Sequence, residues 1–243
     1  MREEPAEREV RWAAPELPFW ERPETVAWFA ARPPDVRVVD LFGERPREAR
    51  VLDLGCAAGR NANWLAAAGF DVWALDASCA MVAHTRERLA THLGREAASV
   101  RVRHGDMADL GAFADAWFDA VIAIGVLPGA GSWRAWQRAI GEIARVLAPG
   151  GELILTHFTP ETGPDGPPLE RVAGEPHLYR RYFEDRPSIL LRRPELDGLL
   201  AAAGLEPLTE TATVPATAMD GHRTTLNGHF RRRVAAAPTK EIR

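Results

Sequence analysis

Between residues 51 and 157 the chain alternates short apolar runs with amphipathic stretches. The runs 51–54 (VLDL), 71–75 (DVWAL), 118–124 (FDAVIAI) and 152–157 (ELILTH) are of strand length and nearly continuous in apolar character. That pattern predicts strands buried on both faces, because a half-exposed strand would alternate apolar with polar. Between them, segments near 60–68, 78–93 and 132–147 repeat apolar residues at helical spacing, with Ser78 placed to cap the second. A weaker run at 99–103, just before HGDM, reads as a further strand, and APGG at 148–151 as the break before strand 152–157. Strand-helix alternation of this kind predicts an α/β fold with a parallel sheet covered by helices on both faces.

The flanks are less regular. From Phe19 to Ala31, Phe19, Val26 and Phe29 fall at helical spacing with Trp20 and Trp28 beside them, and Asp35 stands where it would cap a short helix over Val38, Val39, Leu41 and Phe42 that ends at Gly43. Residues 158–177 are rich in Pro and Gly and predict a long loop or flap. A helix near 194–203, closed by Gly204, precedes two extended segments, 205–214 and 223–232, close enough to pair antiparallel. We therefore expect one domain over 18–234, with a helical cap at 18–43 and a cap insertion at 158–190, flanked by a poorly ordered 1–17 and a fraying 235–243.

Charge narrows the partners. The formal net charge is −4, with no basic stretch to track nucleic acid or an anionic membrane. No apolar run approaches the ~20 residues of a membrane span, and the start MREEPAEREVR lacks the apolar core of a secretion signal. Cys56 and Cys79 have neither zinc-site nor disulfide spacing, and His84 and His92 lack a third convergent ligand, so no metal is expected. A cytoplasmic setting is the default expectation.

Candidate chemistry collects at strand ends. Gly55 and Gly59 allow a sharp turn after the first strand and close approach of a ligand to the backbone, although such turns also occur without ligands. Asp76 ends the second strand, where a carboxylate is placed to accept from the paired hydroxyls of a ribose; a helix cap is its ordinary alternative. Asp106 ends the third strand, in reach of an adenine amino group or else merely solvated, and Gly125 and His157 follow the fourth and fifth. Open sheets bind ligands at this carboxyl edge.

In order and spacing, Asp53-Leu-Gly-Cys-Ala-Ala-Gly59, Asp76-Ala-Ser, HGDM at 104–107, FDAVIAI and RVLAPGGELIL at 145–155 resemble the motifs of class I S-adenosylmethionine-dependent methyltransferases. The resemblance runs from about 48 to 157, and more weakly through LLAAAGLEP. It implies a Rossmann-like, doubly wound, seven-stranded sheet, mostly parallel with an antiparallel last strand. It also implies S-adenosylmethionine as methyl donor, S-adenosylhomocysteine as product, and a small-molecule acceptor. By the same resemblance, Gly55, Ala57 and Gly59 would lie against the methionine part and Asp53 would orient its amino group. Asp76 would hold the ribose with Ala77 against the adenine, Asp106 and the Met107 amide would meet the adenine edge, and Ile124 and Gly125 would face the methionyl amino group. Ala57 departs from the family's glycine; its methyl group narrows the turn's freedom and is tolerable if Ala57 keeps a negative φ.

Methyl transfer from a sulfonium needs alignment rather than a protein nucleophile. An acceptor that must lose a proton would need a base, and His157 is the candidate, with hydrogen bonding to loop backbone as its ordinary role. Trp28, Tyr179 and Tyr182, with His157, are candidate acceptor-binding residues, and Trp20, Trp28 and Phe29 a candidate lid; packing explains these aromatics too. Two other classes fit parts of the pattern. One is a protein of the same fold that binds the donor without methylating, as a sensor or a cyclase. The other is a nicotinamide-dependent oxidoreductase, which GCAAGR fits poorly because it is not GxGxxG.

Overall fold

A computed structural model describes residues 18–161, 169–183, 186–218 and 221–234. A 3-10 turn over Phe19–Glu21 leads into α1 (Pro23–Ala30) and α2 (Val36–Gly43). The single helix expected from Phe19 is divided because Pro23 takes the first position of α1 and holds Arg22 extended. Asp35 caps α2 as expected, accepting from the Arg37 amide at 3.1 Å.

The body then runs β1 (Arg50–Leu54), α3 (Arg60–Ala67), β2 (Asp71–Asp76), α4 (Cys79–Leu93), α5 (Arg95–Arg101), β3 (Val102–His104), β4 (Phe118–Ile124), α6 (Trp133–Val146) and β5 (Leu147–Phe158). These five strands lie parallel in the order β3-β2-β1-β4-β5. Two expectations fail locally. Residues 95–101, read partly as strand, form α5, because Gly94 at φ +81° restarts the chain and REAAS favours helix; Val102 is the first residue to reach the ladder. APGG does not interrupt β5 but forms an irregularity within it, the pairing jumping from Phe118–Leu147 to Ala120–Glu152.

The cap insertion carries β6 (Glu170–Arg171), β7 (Leu178–Phe183) and β8 (Arg186–Ile189), a separate antiparallel sheet of which only β6 falls in the 158–177 stretch expected as a loop. After α7 (Arg193–Ala202) come β9 (Leu205–Pro207), β10 (Ala212–Ala218) and β11 (Gly221–Arg232). β11 runs antiparallel to β5, and β9 and β10 pair antiparallel with β11. The antiparallel last strand is thus as expected, and β9 makes the main sheet eight-stranded rather than seven-stranded.

Strand periodicity sorts the core. Leu52 and Leu54 of β1 face α6 and α7, packing with Trp136, Ile140, Ile143, Leu196 and Leu200. Val51 faces the other way, with Val72, Ile122 and Ile154 against Val38 and Phe42 of α2, Leu65 of α3 and Leu89 of α4. Each such fully buried side chain contributes roughly 1.5–3 kcal/mol. With both faces covered, the carboxyl ends of β1 to β5 are left to build a site. Among the described residues no helix is long and apolar enough to cross a membrane.

Candidate functional site

The loops after β1, β2 and β3 are stitched together around Asp76. The amides of Gly55 and Cys56 donate to the Leu75 carbonyl at 2.8 and 3.1 Å, and the Gly105 amide donates to the Asp76 carbonyl at 2.9 Å. Gly55 and Gly59 have φ of +71° and +79°. Their lack of a side chain is required by this chain's own packing: a Cβ on Gly55 would run into Val126, and one on Gly59 would lie 2.9 Å from the Thr85 Cγ2. The side chain approaching each glycine is therefore internal, where the sequence suggested a ligand.

Ala57 does not keep a negative φ. It stands at +47°, in the left-handed region, at a cost of roughly 1–2 kcal/mol for an L-residue. Two bonds hold it there: its amide donates to Asp76 Oδ2 at 2.8 Å, and its carbonyl accepts from the Thr85 hydroxyl at 2.7 Å.

Asp76 also accepts from the Ser78 amide, through Oδ1 at 2.9 Å. Burial raises its pKa, against the pull of these backbone donors. A carboxylate has about four acceptor sites, so two amide bonds leave capacity for further donors. Ala77 beside it is exposed, its carbonyl 3.0 Å from His104 Nε2. Asp106 is exposed and accepts from the Ala108 amide at 2.8 Å, while Met107 is half-buried against the core. After β4, Ile124 is half-buried, and Gly125, at φ +72°, donates its amide to the Thr156 carbonyl at 3.0 Å. A Cβ on Gly125 would meet only Phe158, at 4.0 Å, so this side of the cleft is open.

Asp53 sits lower. It is 2 % exposed and accepts from the Ala62 amide at 3.1 Å, under the first turn of α3. Burial pushes its pKa up to about 7, with Arg60 pulling the other way. Arg60 lies 3.6 Å from Asp35, which also holds Arg37. Arg37 in turn donates to the Leu155 carbonyl at 3.1 Å and the Thr156 hydroxyl at 2.6 Å, so charged groups of α2 clamp the end of β5.

The acceptor-side candidates separate. His157 is fully buried, and both its ring nitrogens are engaged, by Trp136 and by the Phe158 carbonyl, so it faces α6 and not the cleft. Burial lowers its pKa to about 4. A strand alternates its faces, and position 157 falls on the α6 side. Tyr182 is likewise buried, its hydroxyl donating to the Thr224 carbonyl at 3.4 Å, and Tyr179 is a half-buried position of β7. Trp28 packs edge-on against Phe29 and under Arg32, each at 4.7 Å.

Glu21 and Arg186, not singled out from sequence, come in beside the site instead. Glu21 accepts from the Cys79 and Ala80 amides at 2.8 and 3.0 Å, and the Ser78 hydroxyl donates to the Trp20 carbonyl at 2.9 Å. The Arg186 guanidinium lies 4.0 Å from the Phe19 ring centroid, 4.5 Å from Trp20 and 4.9 Å from Phe183. Phe183 in turn packs on Phe158 at 5.2 Å. No local signal marks these contacts, since Glu21 and Cys79 are far apart along the chain.

Residues 51–151 match a family model described as a methyltransferase domain. No curated protein matches the chain in sequence. Among solved structures the chain is similar to 1,6-didemethyltoxoflavin-N1-methyltransferase from Burkholderia thailandensis, solved with 1,6-didemethyltoxoflavin and S-adenosylhomocysteine bound (21% identity, 86% of this chain and 78% of that one, TM-score 0.58). It is also similar to an amino pentose methyltransferase from Micromonospora echinaspora, solved with S-adenosylmethionine bound (25% identity, 88% and 91%, TM-score 0.52). A third likeness is to the 4+2 cyclase SpnF (22% identity, 82% and 81%, TM-score 0.57).

Proposed function

We propose that this chain, which carries a class I S-adenosylmethionine-dependent methyltransferase domain, moves a methyl group from that donor to a small-molecule acceptor. The observation that carries the reading is Asp76: a carboxylate ending β2, held by two backbone amides and opposed to the Gly55–Gly59 loop, with acceptor capacity left for a ribose. The residues present fit the donor. Asp76 offers the acceptor for its hydroxyls, Asp106 an exposed carboxylate one strand further, and Gly125 an open backbone wall.

When bound, the donor supplies an electrophilic methyl on a sulfonium. The protein's part is to hold, orient and dry the reacting groups; alignment alone is worth up to ~7–11 kcal/mol of barrier. Phe19, Trp20, Phe158 and Phe183 wall the opening with apolar surface, which suits a small organic acceptor and excludes water. His157 takes no part in proton transfer in this reading; it is a core residue. The likeness to SpnF favours one second reading, a donor-binding protein that does not methylate.

Calorimetry with S-adenosylmethionine and, separately, NAD tests the donor site on the wild type and Asp76→Ala. Micromolar binding of S-adenosylmethionine alone, lost in the variant, is expected; silence toward S-adenosylmethionine from a folded protein overturns the reading. Release of S-adenosylhomocysteine in the presence of an acceptor pool then separates transfer from binding.

A further inference from the structure

The turn Phe19–Glu21 is fastened at both ends. At one end lies the first turn of α4. Ser78 serves the Met81 amide at 3.2 Å, and the amides of Cys79 and Ala80, which no helical carbonyl reaches, are taken by the two carboxylate oxygens of Glu21. A negative group at this position also complements the helix dipole. Trp20 adds its carbonyl on the Ser78 hydroxyl. This end adjoins Asp76, whose pKa is raised first by burial and further by the Glu21 charge. At the other end the guanidinium of Arg186, at the start of β8, packs on Phe19, Trp20 and Phe183. Phe183 packs in turn on Phe158, whose ring edge faces Gly125. The turn therefore bridges from the β2 side of the carboxyl edge to the cap sheet beside β5.

We propose that Phe19–Glu21 is a strap across the donor cleft, and that Glu21 and Arg186 are the positioning residues whose release gates entry and exit of the cofactor. The inference rests on the donor site proposed above. One fastening is a pair of amide bonds to a carboxylate with the Ser78 hydroxyl bond beside it, and the other includes a guanidinium packed on ring faces; both lie outside the two hydrophobic cores. A gate differs from a binding contact in its kinetics. Loosening a binding contact speeds departure alone, whereas loosening a gate that is closed equally in the free and the bound protein speeds arrival and departure together and leaves the equilibrium where it was.

The test uses the full chain with S-adenosylhomocysteine as probe, followed by stopped-flow association and dissociation for the wild type, Glu21→Gln, Arg186→Leu and Arg186→Lys. Melting temperatures and hydrogen exchange of the Cys79 and Ala80 amides are measured in parallel. Both rate constants should rise about tenfold in Glu21→Gln and in Arg186→Leu, the ratio corresponding to about 1.4 kcal/mol, with Kd within about twofold of the wild type. Arg186→Lys, which keeps the charge and loses the flat stacking face, should fall between. Faster dissociation at unchanged association would make the strap a binding contact and overturn the gate, as would unchanged rates alongside faster amide exchange. Should Glu21→Gln not fold, the two Arg186 variants decide the matter at the other end of the strap. A wild type that binds no S-adenosylhomocysteine removes the donor site and the gate together, whereas a binding wild type with unaltered variants removes the gate alone.

Discussion

The indole N–H of Trp136 donates to His157 Nε2 across 3.0 Å, joining α6 to the end of β5. An indole only donates, so Nε2 carries the lone pair and the ring proton sits on Nδ1, which donates to the Phe158 carbonyl at 2.9 Å. This histidine is neutral and fully buried, with its pKa lowered by burial from 6.5 to about 4. Because the folded pKa is depressed, its contribution is whole above pH 6.5 and is lost as the pH falls toward 4, by roughly 3 kcal/mol. His157→Leu should lose that acid-side slope and, with Trp136 left without an acceptor, should cost roughly 1–3 kcal/mol at pH 7.5. Urea unfolding of both proteins across pH 4–8 reads both effects. If methyl transfer is assayed, the variant should retain it in proportion to its folded fraction; a loss of kcat in a folded protein would restore His157 as a base.

Asp53 works in the opposite direction. Its folded pKa is raised from 3.8 to about 7 by burial, so its favourable contribution is whole below pH 3.8 and fades as the pH rises through 7, by up to roughly 4 kcal/mol. Over pH 4–6.5 the two buried groups oppose each other at similar slope. Asp53→Asn keeps an oxygen for the Ala62 amide and removes the titration. Relative to the wild type it should gain stability steadily from pH 4.5 to 7.5, whereas the gap between wild type and His157→Leu should widen with pH from 4 to 6.5. A constant gap between Asp53→Asn and the wild type across that range would show that Asp53 stays ionised.

The strands, their parallel order and the carboxyl-edge position of Asp76 were legible because buried strands and amphipathic helices have periods that sequence displays. What stayed hidden was set at long range. Nothing near FWERP announces that Glu21 will cap α4, since any carboxylate at the right distance would serve. His157 ends an apolar strand whether its ring faces the cleft or α6; the face is fixed by where Trp136 lies. Of the cap sheet only β6 lies within the Pro- and Gly-rich run 158–177, and α5 was hidden by Val102, where the strand takes over from the helix.

Ala57 is strained by its φ of +47°, yet glycine at this position would bring the greater freedom of the unfolded chain. Relief of roughly 1–2 kcal/mol set against an entropic cost of roughly 0.5–1 leaves Ala57→Gly between neutral and ~1.5 kcal/mol more stable. A β-branched side chain resists the left-handed region far more, so Ala57→Val should cost at least ~2 kcal/mol and should loosen the amide bond to Asp76. Chemical denaturation of the three proteins gives the order Gly, Ala, Val. A valine variant as stable as the wild type would mean that the loop adopts a negative φ in solution.

Trp28 and Trp20 divide a role that the sequence offered to both. Trp28 lies on α1 against Phe29 and Arg32, whereas Trp20 packs on Phe29 at 5.2 Å and on Arg186. Trp28→Ala should therefore act through packing. Full burial of a tryptophan is worth roughly 3–5 kcal/mol on truncation, so a half-buried one should cost about 2, with S-adenosylhomocysteine exchange rates unchanged. Trp20→Ala should speed both association and dissociation, as the variants at either end of the strap do. The comparison fixes the size of the moving part: equal acceleration by the two variants would extend it to the whole of α1, and acceleration by Trp20→Ala alone confines it to the turn that Glu21 and Arg186 hold.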